Sequence, residues 1–319
     1  MLPPVSWRHA AAVALLLGCA AASAQTSRPF RPGVSDQVKE QASAVLALMS
    51  YMVVPDVTTS SLRVGNAATG NPSIAMTQLG GGFTWSDDLP LYLEGNAAYV
   101  RFDPKFLVSN GTVERDLPLK WNGFSVTVGI GWDVPLAPDL VLRPIVMGSY
   151  GRIASDVQAG LWYADRQADA DLDFLEGGKV HEYGVGGALM LDFERFSPER
   201  DLDLELRYTR VELRLRSDDL PSLRDTAVAE NLNLWTRLRT PTGLVLLDRP
   251  LRSVLEFTHT EFLGSQTNLL GFARLSAFGA GLEVDLTAHE LFVTRGRVVA
   301  RYLRGQGVEG WSLGLAVSF

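Results

Sequence analysis

Large apolar residues alternate with small or polar ones along much of this chain, and the alternation is clearest in the last nine residues. At these positions every even residue is small and every odd residue is large and apolar: Trp311, Leu313, Leu315, Val317 and Phe319. A period of two places the two sets on opposite faces of a β-strand. Residues 121–134, 179–194 and 272–286 repeat the pattern, so the sequence predicts several strands with one apolar face.

Weaker alternation marks eight further strands and brings the predicted count to about twelve, with ten or fourteen as the alternatives. These segments are 58–66, 73–85, 90–102, 139–151, 200–215, 225–240, 250–263 and 291–304. A tilted strand needs about nine to eleven residues to cross the hydrocarbon layer of a membrane, and most of the segments reach that length. Turn residues separate them, which is typical of an antiparallel up-and-down arrangement.

The links between the predicted strands sort into two sets by length. Every second link is short, and the two longest, 103–120 and 152–178, fall in the other set. A transmembrane barrel has short turns at one end and long loops at the other, whereas a soluble β-sandwich has no reason to sort its links. Trp121 and Trp132 also lie at opposite ends of one strand, as two aromatic belts require. We therefore predict an all-β fold, a transmembrane antiparallel up-and-down β-barrel over residues 57–319.

Two segments do not follow a single phase of the alternation. In residues 200–215 the apolar residues change from even to odd positions, which favours either a β-bulge or a strand that leaves the membrane. Residues 241–250 carry four consecutive apolar residues between two prolines and fit no strand well. The predicted strand count therefore depends on how residues 241–250 are assigned.

Residues 1–24 have the pattern of a secretory signal peptide. Basic residues precede an apolar run, and Ala22-Ser23-Ala24 forms a small-x-small cleavage site. A rival site ends at Cys19, which approximates the lipoprotein pattern with an acylated cysteine, and we favour cleavage after Ala24. Cleavage there removes the only cysteine, so the mature chain could form no disulfide. Export of a barrel indicates the outer membrane of a Gram-negative bacterium.

Residues 25–56 are predicted to form a tether and one short helix. The tether contains two prolines and a glycine, and Ser35 or Asp36 can cap a helix that runs to about Tyr51. Apolar residues recur along it at spacings of three and four, which makes one narrow stripe. The helix lies either outside, against a partner or the barrel rim, or inside the barrel lumen.

Composition narrows the class of protein further. Beyond the signal no run of about 18 apolar residues occurs, and charged residues, 20% of the chain, are spread along its length. A helical membrane protein is therefore not expected. The net charge of -7 argues against a nucleic-acid partner, because nucleic-acid binding needs a basic face.

Small and charged residues occupy the predicted inward positions of the strands. The set expected to face the lumen is Gly129, Gly131, Gly184, Gly186, Gly279, Gly281, Glu283, Asp285, Arg297 and Arg301. A lumen with both charge signs beside bare glycines is either a wet pore or a seat for a segment that fills it. The alternative is that the glycines only relieve strand crowding and curvature.

Candidate chemistry is sparse. A barrel enzyme that acts on lipid, of the phospholipase or lipid A deacylase type, needs a His, a Ser and an orienting polar group together, and His259 with Ser265 is one candidate pair. Alternate carboxylates in residues 169–176 could bind a divalent cation, although Phe174 stands where a calcium loop needs glycine, so a solvated loop is preferred. We expect no catalytic, cofactor-binding or metal site.

The signal, the short helix-bearing segment and the twelve strands with a terminal aromatic together resemble solitary autotransporter-like outer-membrane barrels. The resemblance covers nearly the whole mature chain, and it implies that the barrel-assembly machinery recognises the terminal residues 311–319. In autotransporters proper a passenger precedes the barrel and a helix occupies its lumen. Residues 25–56 leave no room for a passenger, so the expectation carried over is insertion and not secretion.

The function expected from sequence is a non-enzymatic narrow passive channel or a structural surface protein. The expected partners are outer-membrane lipid, lipopolysaccharide and, during insertion, the assembly machinery. The alternative is the enzyme acting on lipid.

Deletion of Phe319 should lower insertion in cells far more than it lowers the stability of the folded barrel. Burial of one aromatic side chain contributes only about 1.5–3 kcal/mol, whereas recognition by the assembly machinery is all-or-none. Surface levels in cells and urea unfolding of refolded protein measure the two effects. Equal surface levels of wild type and deletion variant would contradict the assembly signal.

Overall fold

The computed structural model describes residues 57–66, 73–103, 105–109, 114–118, 121–155, 179–217, 224–246, 248–264, 272–285 and 294–318. The predicted signal peptide, the tether and helix, and the acidic loop 169–176 lie outside these residues. None of the described residues belongs to a helix long and apolar enough to cross a membrane.

Strands account for nearly all of the described residues. In chain order they are β1 (Val57–Asn66), β2 (Ser73–Thr84), β3 (Leu91–Asp103), β4 (Lys105–Ser109), β5 (Glu114–Pro118), β6 (Trp121–Trp132), β7 (Val134–Ala137), β8 (Leu140–Ser155), β9 (Lys179–Phe196), β10 (Asp201–Ser217), β11 (Arg224–Leu246), β12 (Arg249–Leu263), β13 (Arg274–Asp285), β14 (Arg295–Gly305) and β15 (Val308–Ser318). Strands β4 and β5 pair only with each other, as a hairpin within the long link 103–120. The short β7 continues β6 and pairs with the start of β8.

The remaining twelve strands form a closed antiparallel ring. Strand β1 pairs with β2 on one side and with β15 on the other, so the first and last strands are neighbours. Strand β3 pairs with β6, and β6 pairs with β8, which joins the two halves of the sheet. Each of the twelve strands therefore has a hydrogen-bonded neighbour on both sides, as a barrel in a membrane requires. The predicted twelve-strand barrel is confirmed.

The links separate into two ends of the barrel. Strand β1 begins and β15 ends at the same end as the turns 85–90, 138–139 and 197–200; we call this the termini end. The links between β3 and β6 and between β8 and β9 lie at the opposite end, the loop end. The two longest links thus lie at the same end of the barrel, as the alternation of link lengths along the sequence predicts.

Strand β6 shows how the two faces differ. On its outward face Phe124, Val128 and Ile130 are exposed, whereas Ser125 and Thr127 on the inward face are buried. From Phe124 to Trp132 the outward residues span eight steps, about 27 Å along the strand and about 21 Å along the axis at a tilt of about 40°. An apolar band of this height matches the hydrocarbon layer of an outer membrane, about 25 Å.

Aromatic residues cluster on the outer surface at two heights. Those near the loop end are Tyr99, Phe124, Tyr150, Tyr183 and Trp311, and those near the termini end are Phe83, Trp85, Trp132 and Phe196. Such girdles mark the two interfaces of a membrane because aromatic rings favour the headgroup level.

The change of phase within β10 has a different cause from a β-bulge. The register of β10 with β9 and β11 is continuous, and its odd residues face inward from Asp201 to Leu213. Near the loop end the composition of the two faces inverts, with Glu212 exposed outside and Leu213 buried inside. The bulge interpretation is therefore wrong, and the other alternative fits: the strand continues beyond the apolar band.

Residues 241–250 extend the hairpin of β11 and β12 at the termini end. The register shifts between Pro241 and Val245, and Asp248 has a φ of 60° at the turn. Leu244, Val245 and Leu246 are exposed. The segment adds no strand, so the count remains twelve.

The outward apolar band is testable by charge substitution. We expect Val128→Arg, at a site 58% exposed within the band, to reduce the free energy of folding into lipid vesicles by about 2–4 kcal/mol, because arginine is poorly solvated at the middle of a bilayer. Leu244→Arg, at a site 64% exposed beyond the band, should change it by about 0–1 kcal/mol. Urea titration of tryptophan fluorescence gives both values, and equal effects would contradict the placement of the band.

Candidate functional site: the lumenal ion-pair network

Charged residues occupy much of the inner wall of the barrel. The buried members are Glu94, Asp133, Arg143, Glu182, Asp192, Asp201, Asp203, Glu205, Arg207, Arg237, Arg239, Glu256, Glu283 and Arg297. Burial of a charge is unfavourable by several kcal/mol unless an opposite charge and hydrogen bonds compensate it. The positions of the partners therefore decide what the lumen can do.

One ion pair crosses the lumen. Arg207 of β10 donates two hydrogen bonds to Glu94 of β3, from Nη1 to Oε2 at 2.8 Å and from Nη2 to Oε1 at 2.7 Å. Three strands, β6, β8 and β9, separate these residues in the ring, so the side chains meet across the interior. A bidentate pair of this kind fixes both the distance and the orientation of the two groups.

Arg143 of β8 forms the centre of a second group near the termini end. Its guanidinium pairs with Asp133, with Nη2 at 2.9 Å from Oδ2, and with Asp192, with Nη1 at 3.0 Å from Oδ2. The guanidinium carbon also lies 3.9 Å from the ring centroid of Tyr92. Thr84 on β2 donates a hydrogen bond of 2.6 Å to Asp133. The group links β2, β3, β8 and β9 at one level of the lumen.

A third group joins β10 to β14 around three acidic residues, Asp201, Asp203 and Glu283. Asp201 contacts Arg252, and it lies within 3.7 Å of Arg239 and 3.5 Å of Arg295. Because three strands separate β10 from β14 in the ring, the contact between Asp201 and Arg295 also reaches across the interior. Arg239 connects this residue to the next acidic centre, Glu283, at 3.6 Å.

Glu283 of β13 pairs with Arg297 of the neighbouring strand at 2.9 Å and lies 3.9 Å from Arg295. Asp203 completes the group, at 2.6 Å from Arg237 and 3.2 Å from Arg239. Side chains that share partners in this way hold one another in position, because moving any one of them leaves another charge without compensation.

Glycines provide the space for these long side chains. A Cβ at Gly129 would lie 2.7 Å from Cγ of Glu94, and one at Gly279 would lie 3.0 Å from Cγ of Arg301. Arg301 in turn pairs with Glu256 at 2.6 Å. The glycine positions are therefore covered by neighbouring charged residues. At Gly186 and Gly281 the added atom would meet the backbone of the next strand, which agrees with relief of crowding.

The structure places the predicted residues as follows. Inward positions that are buried are Gly129, Gly131, Gly184, Gly279, Glu283 and Arg297, and inward positions that are half-buried are Gly186, Gly281, Asp285 and Arg301. Of the terminal residues, Trp311, Leu313 and Leu315 are exposed on the outer face and Val317 is half-buried. Phe319 lies outside the described residues.

Sequence reasoning missed most of the network. Asp201, Asp203 and Glu205 alternate with leucines in β10, and this alternation was the available signal for inward charges. Arg143 was missed because the adjacent Pro144 interrupts the pattern. No strand by itself indicates which residue across the ring will be the partner.

Two histidines, His181 and His259, lie within the described residues. His181 accepts or donates a hydrogen bond of 2.9 Å with the hydroxyl of Tyr150. His259 contacts Ser276 on the next strand, with Nδ1 at 2.8 Å from Oγ, whereas the expected partner Ser265 lies outside the described residues, as does His289. Among the described residues no group of three or more His, Cys, Asp or Glu side chains could hold a metal ion.

The chain is similar to known proteins in its fold and not in its sequence. No protein-family model and no curated protein sequence matches the chain. The chain is similar to the solved β domain of the Bordetella autotransporter BrkA, with 16% identity, coverage of 82% of this chain and 97% of that chain, and a TM-score of 0.46. It is also similar to the transport unit of the autotransporter AIDA-I from Escherichia coli, with 14% identity, coverage of 91% of this chain and 100% of that chain, and a TM-score of 0.47. For the NanC porin the identity is 9%, the coverage is 82% of this chain and 100% of that chain, and the TM-score is 0.38. Autotransporter translocator domains, which the sequence resembles, are thus among the structures similar to this chain.

The cross-lumen pair should be strongly coupled. Arg207→Met leaves Glu94 buried without its cation and should reduce the free energy of unfolding by about 3–5 kcal/mol. The double variant Arg207→Met with Glu94→Leu should recover most of that loss, since no uncompensated charge remains.

Urea unfolding in detergent micelles measures the three free energies. The matched control is Arg214→Met, which breaks a pair with Glu212 on the exposed surface and should change stability by at most about 1 kcal/mol. A double variant as unstable as Arg207→Met alone would contradict the predicted coupling.

Proposed function

We propose that this chain is an integral outer-membrane β-barrel that acts as a narrow passive channel, with a lumen constricted by ion pairs. The observation that carries the proposal is the pair of Arg207 and Glu94, which spans the interior of a closed ring of twelve strands. A ring of this size has an interior wider than an eight-stranded barrel, which side chains alone fill. Bridges across it narrow the passage that solutes could follow.

The exterior supports a membrane location. The apolar band of about 21 Å and the two aromatic girdles suit a lipid bilayer, and the thin hydrocarbon layer of the outer membrane in particular. Outer-membrane lipid and lipopolysaccharide are then the partners of the outward face. Above the band, the outer face of β10 carries the exposed Arg210 and Arg214, which suit contact with anionic headgroups.

The N-terminal segment belongs to the same proposal. The helix predicted for 36–51 has a narrow stripe rich in alanine and methionine, which allows close approach to a wall but buries little surface in lipid. We place it within the lumen, on the loop-end side of the ion pairs, where uncharged polar residues line part of the inner wall. Gln78, Asn96, Ser125, Thr127 and Ser149 line that wall, and each has a buried polar atom without a hydrogen-bond partner.

Single-channel recording of the refolded mature chain in planar bilayers tests the constriction. The wild type should conduct weakly, and Arg207→Ala with Glu94→Ala should raise conductance at least about twofold, because two long side chains leave the narrowest level. Removal of residues 30–52 should raise it further if the helix fills the lumen.

The control is Arg214→Ala with Glu212→Ala, which removes an exposed pair of the same charges and should leave conductance unchanged. Heat-modifiable gel mobility verifies that each variant has folded. If the wild type conducts as strongly as the lumenal double variant, the ion pairs do not constrict the passage and the proposal fails.

A further inference from the structure

Three polar side chains on adjacent strands form a hydrogen-bonded row on the outer face of the barrel. His259 of β12 lies between Ser276 of β13 and Glu261 of its own strand. Its Nδ1 is 2.8 Å from Oγ of Ser276, and its Nε2 is 3.3 Å from Oε1 of Glu261. A hydroxyl, an imidazole and a carboxylate in this order are the components of a nucleophilic site that cleaves esters.

The row faces away from the lumen. Thr260, between His259 and Glu261 in the chain, is fully buried on the inner wall, and Leu275 and Ala277 on either side of Ser276 are buried there as well. Because successive residues of a strand point to opposite faces, the three polar side chains point outward. The side chains of His259 and Glu261 are 32% and 39% exposed, so a molecule outside the barrel can reach them.

The row lies at the boundary between the apolar band and the polar loop end. Two residues nearer the middle of the same strands, Phe257 and Phe278 pack against each other with ring centroids 5.1 Å apart. Two residues on a strand correspond to about 7 Å. Further along the same face follow the exposed Leu255 and Leu282. An acyl chain can therefore lie on this apolar surface with its carbonyl group beside Ser276.

Cationic side chains lie on the other side of the row. Arg274, 57% exposed, is placed with Nε 4.0 Å from Oε1 of Glu261. Arg304 of β14 is directly opposite Ser276 in the register and is also exposed. Two guanidiniums at headgroup level suit a phosphate or carboxylate, so the order along the surface is apolar, nucleophilic and cationic.

We propose that Ser276, His259 and Glu261 form a hydrolytic site for the acyl ester of a membrane lipid with an anionic headgroup. The boundary position selects such a substrate, because the ester groups of a lipid lie between its acyl chains and its headgroup. The site uses the outer face of the barrel and does not depend on the lumenal channel.

In the first step Oγ of Ser276 attacks the ester carbonyl carbon while its proton moves to Nδ1 of His259. The tetrahedral intermediate collapses, the bond to the alcohol oxygen breaks, and the alcohol leaves with the proton from Nδ1. Water then attacks the acyl-serine, gives a proton to Nδ1, and the carboxylic acid departs as Ser276 regains its proton. The net reaction is ester plus water to acid plus alcohol, with no redox change.

Glu261 is a positioning residue. By accepting a hydrogen bond from Nε2–H of His259 it fixes the tautomer in which Nδ1 is the base, and it stabilises the imidazolium that forms. Arg304 is placed to stabilise the developing oxyanion, because the backbone amides around Ser276 are engaged in the sheet and cannot do so.

A second histidine on the barrel provides a contrast. His181 also points outward near the loop end, but its hydrogen-bond partner is the hydroxyl of Tyr150, and the residues opposite it in the register are Arg152 and Arg216. The phenol hydroxyl of Tyr150 thus occupies the place beside His181 that the Ser276 hydroxyl occupies beside His259. It is therefore a matched control for His259.

The test uses the full mature chain, refolded in mixed micelles with either a phosphatidylglycerol or purified lipopolysaccharide, and measures released fatty acid by mass spectrometry. Release in either arm supports the site and identifies the lipid. A long-chain alkyl fluorophosphonate should label the wild type, and peptide mapping should place the adduct on Ser276.

Variants assign the roles. Ser276→Ala and His259→Ala should each lower release by about 10³-fold or more, whereas Ser253→Ala and His181→Ala should leave it unchanged. Glu261→Gln should lower kcat with little change in KM, and Glu261→Asp should restore part of the loss, which a merely structural role would not produce.

Two results would overturn the proposal. One is the absence of fatty-acid release from both lipids together with the absence of an adduct on Ser276 in protein whose gel mobility shows a folded barrel. The other is release that persists in Ser276→Ala. Neither result bears on the conductance measurements, so the channel proposal stands or fails separately.

Discussion

The whole architecture follows from the need to pair every backbone amide and carbonyl within an apolar layer. An open sheet would expose two edges to lipid at several kcal/mol for each unpaired group. The pairing of β1 with β15 and of β6 with β8 removes both edges. Once the ring is closed, each strand has one face toward lipid and one toward the lumen. The alternation along the sequence then places large apolar side chains against lipid and small or polar ones in the lumen.

Closure creates an interior that twelve strands cannot fill with aliphatic side chains alone. This chain fills part of it with arginines and carboxylates that meet across several strands, as Arg207 and Glu94 do. Buried ion pairs contribute little net stability, but removal of one partner is strongly unfavourable. The network therefore fixes which residues face one another more than it raises stability. Glycines such as Gly129 make room for the long side chains.

The two faces of one strand can carry separate chemistry because neighbouring residues point in opposite directions. On β12 the side chain of Thr260 points into the lumen, whereas His259 and Glu261 point outward. Inside, ion pairs hold the wall, and we propose that they limit passage. Outside, we propose that the boundary between apolar and charged residues orients a lipid.

The sequence by itself determined the strands, their number and the face of each residue, because a period of two is a local property that closure does not alter. It also placed Glu283 and Arg297 on the inner wall. Only the tertiary structure decided which side chains meet, since Glu94 and Arg207 are 113 residues apart in the chain. Proximity in sequence suggested Ser265, which lies outside the described residues, for His259; the contact with Ser276 follows only from the register of β12 with β13. Register and ring closure are collective properties of the hydrogen-bond ladders, so no single segment encodes them.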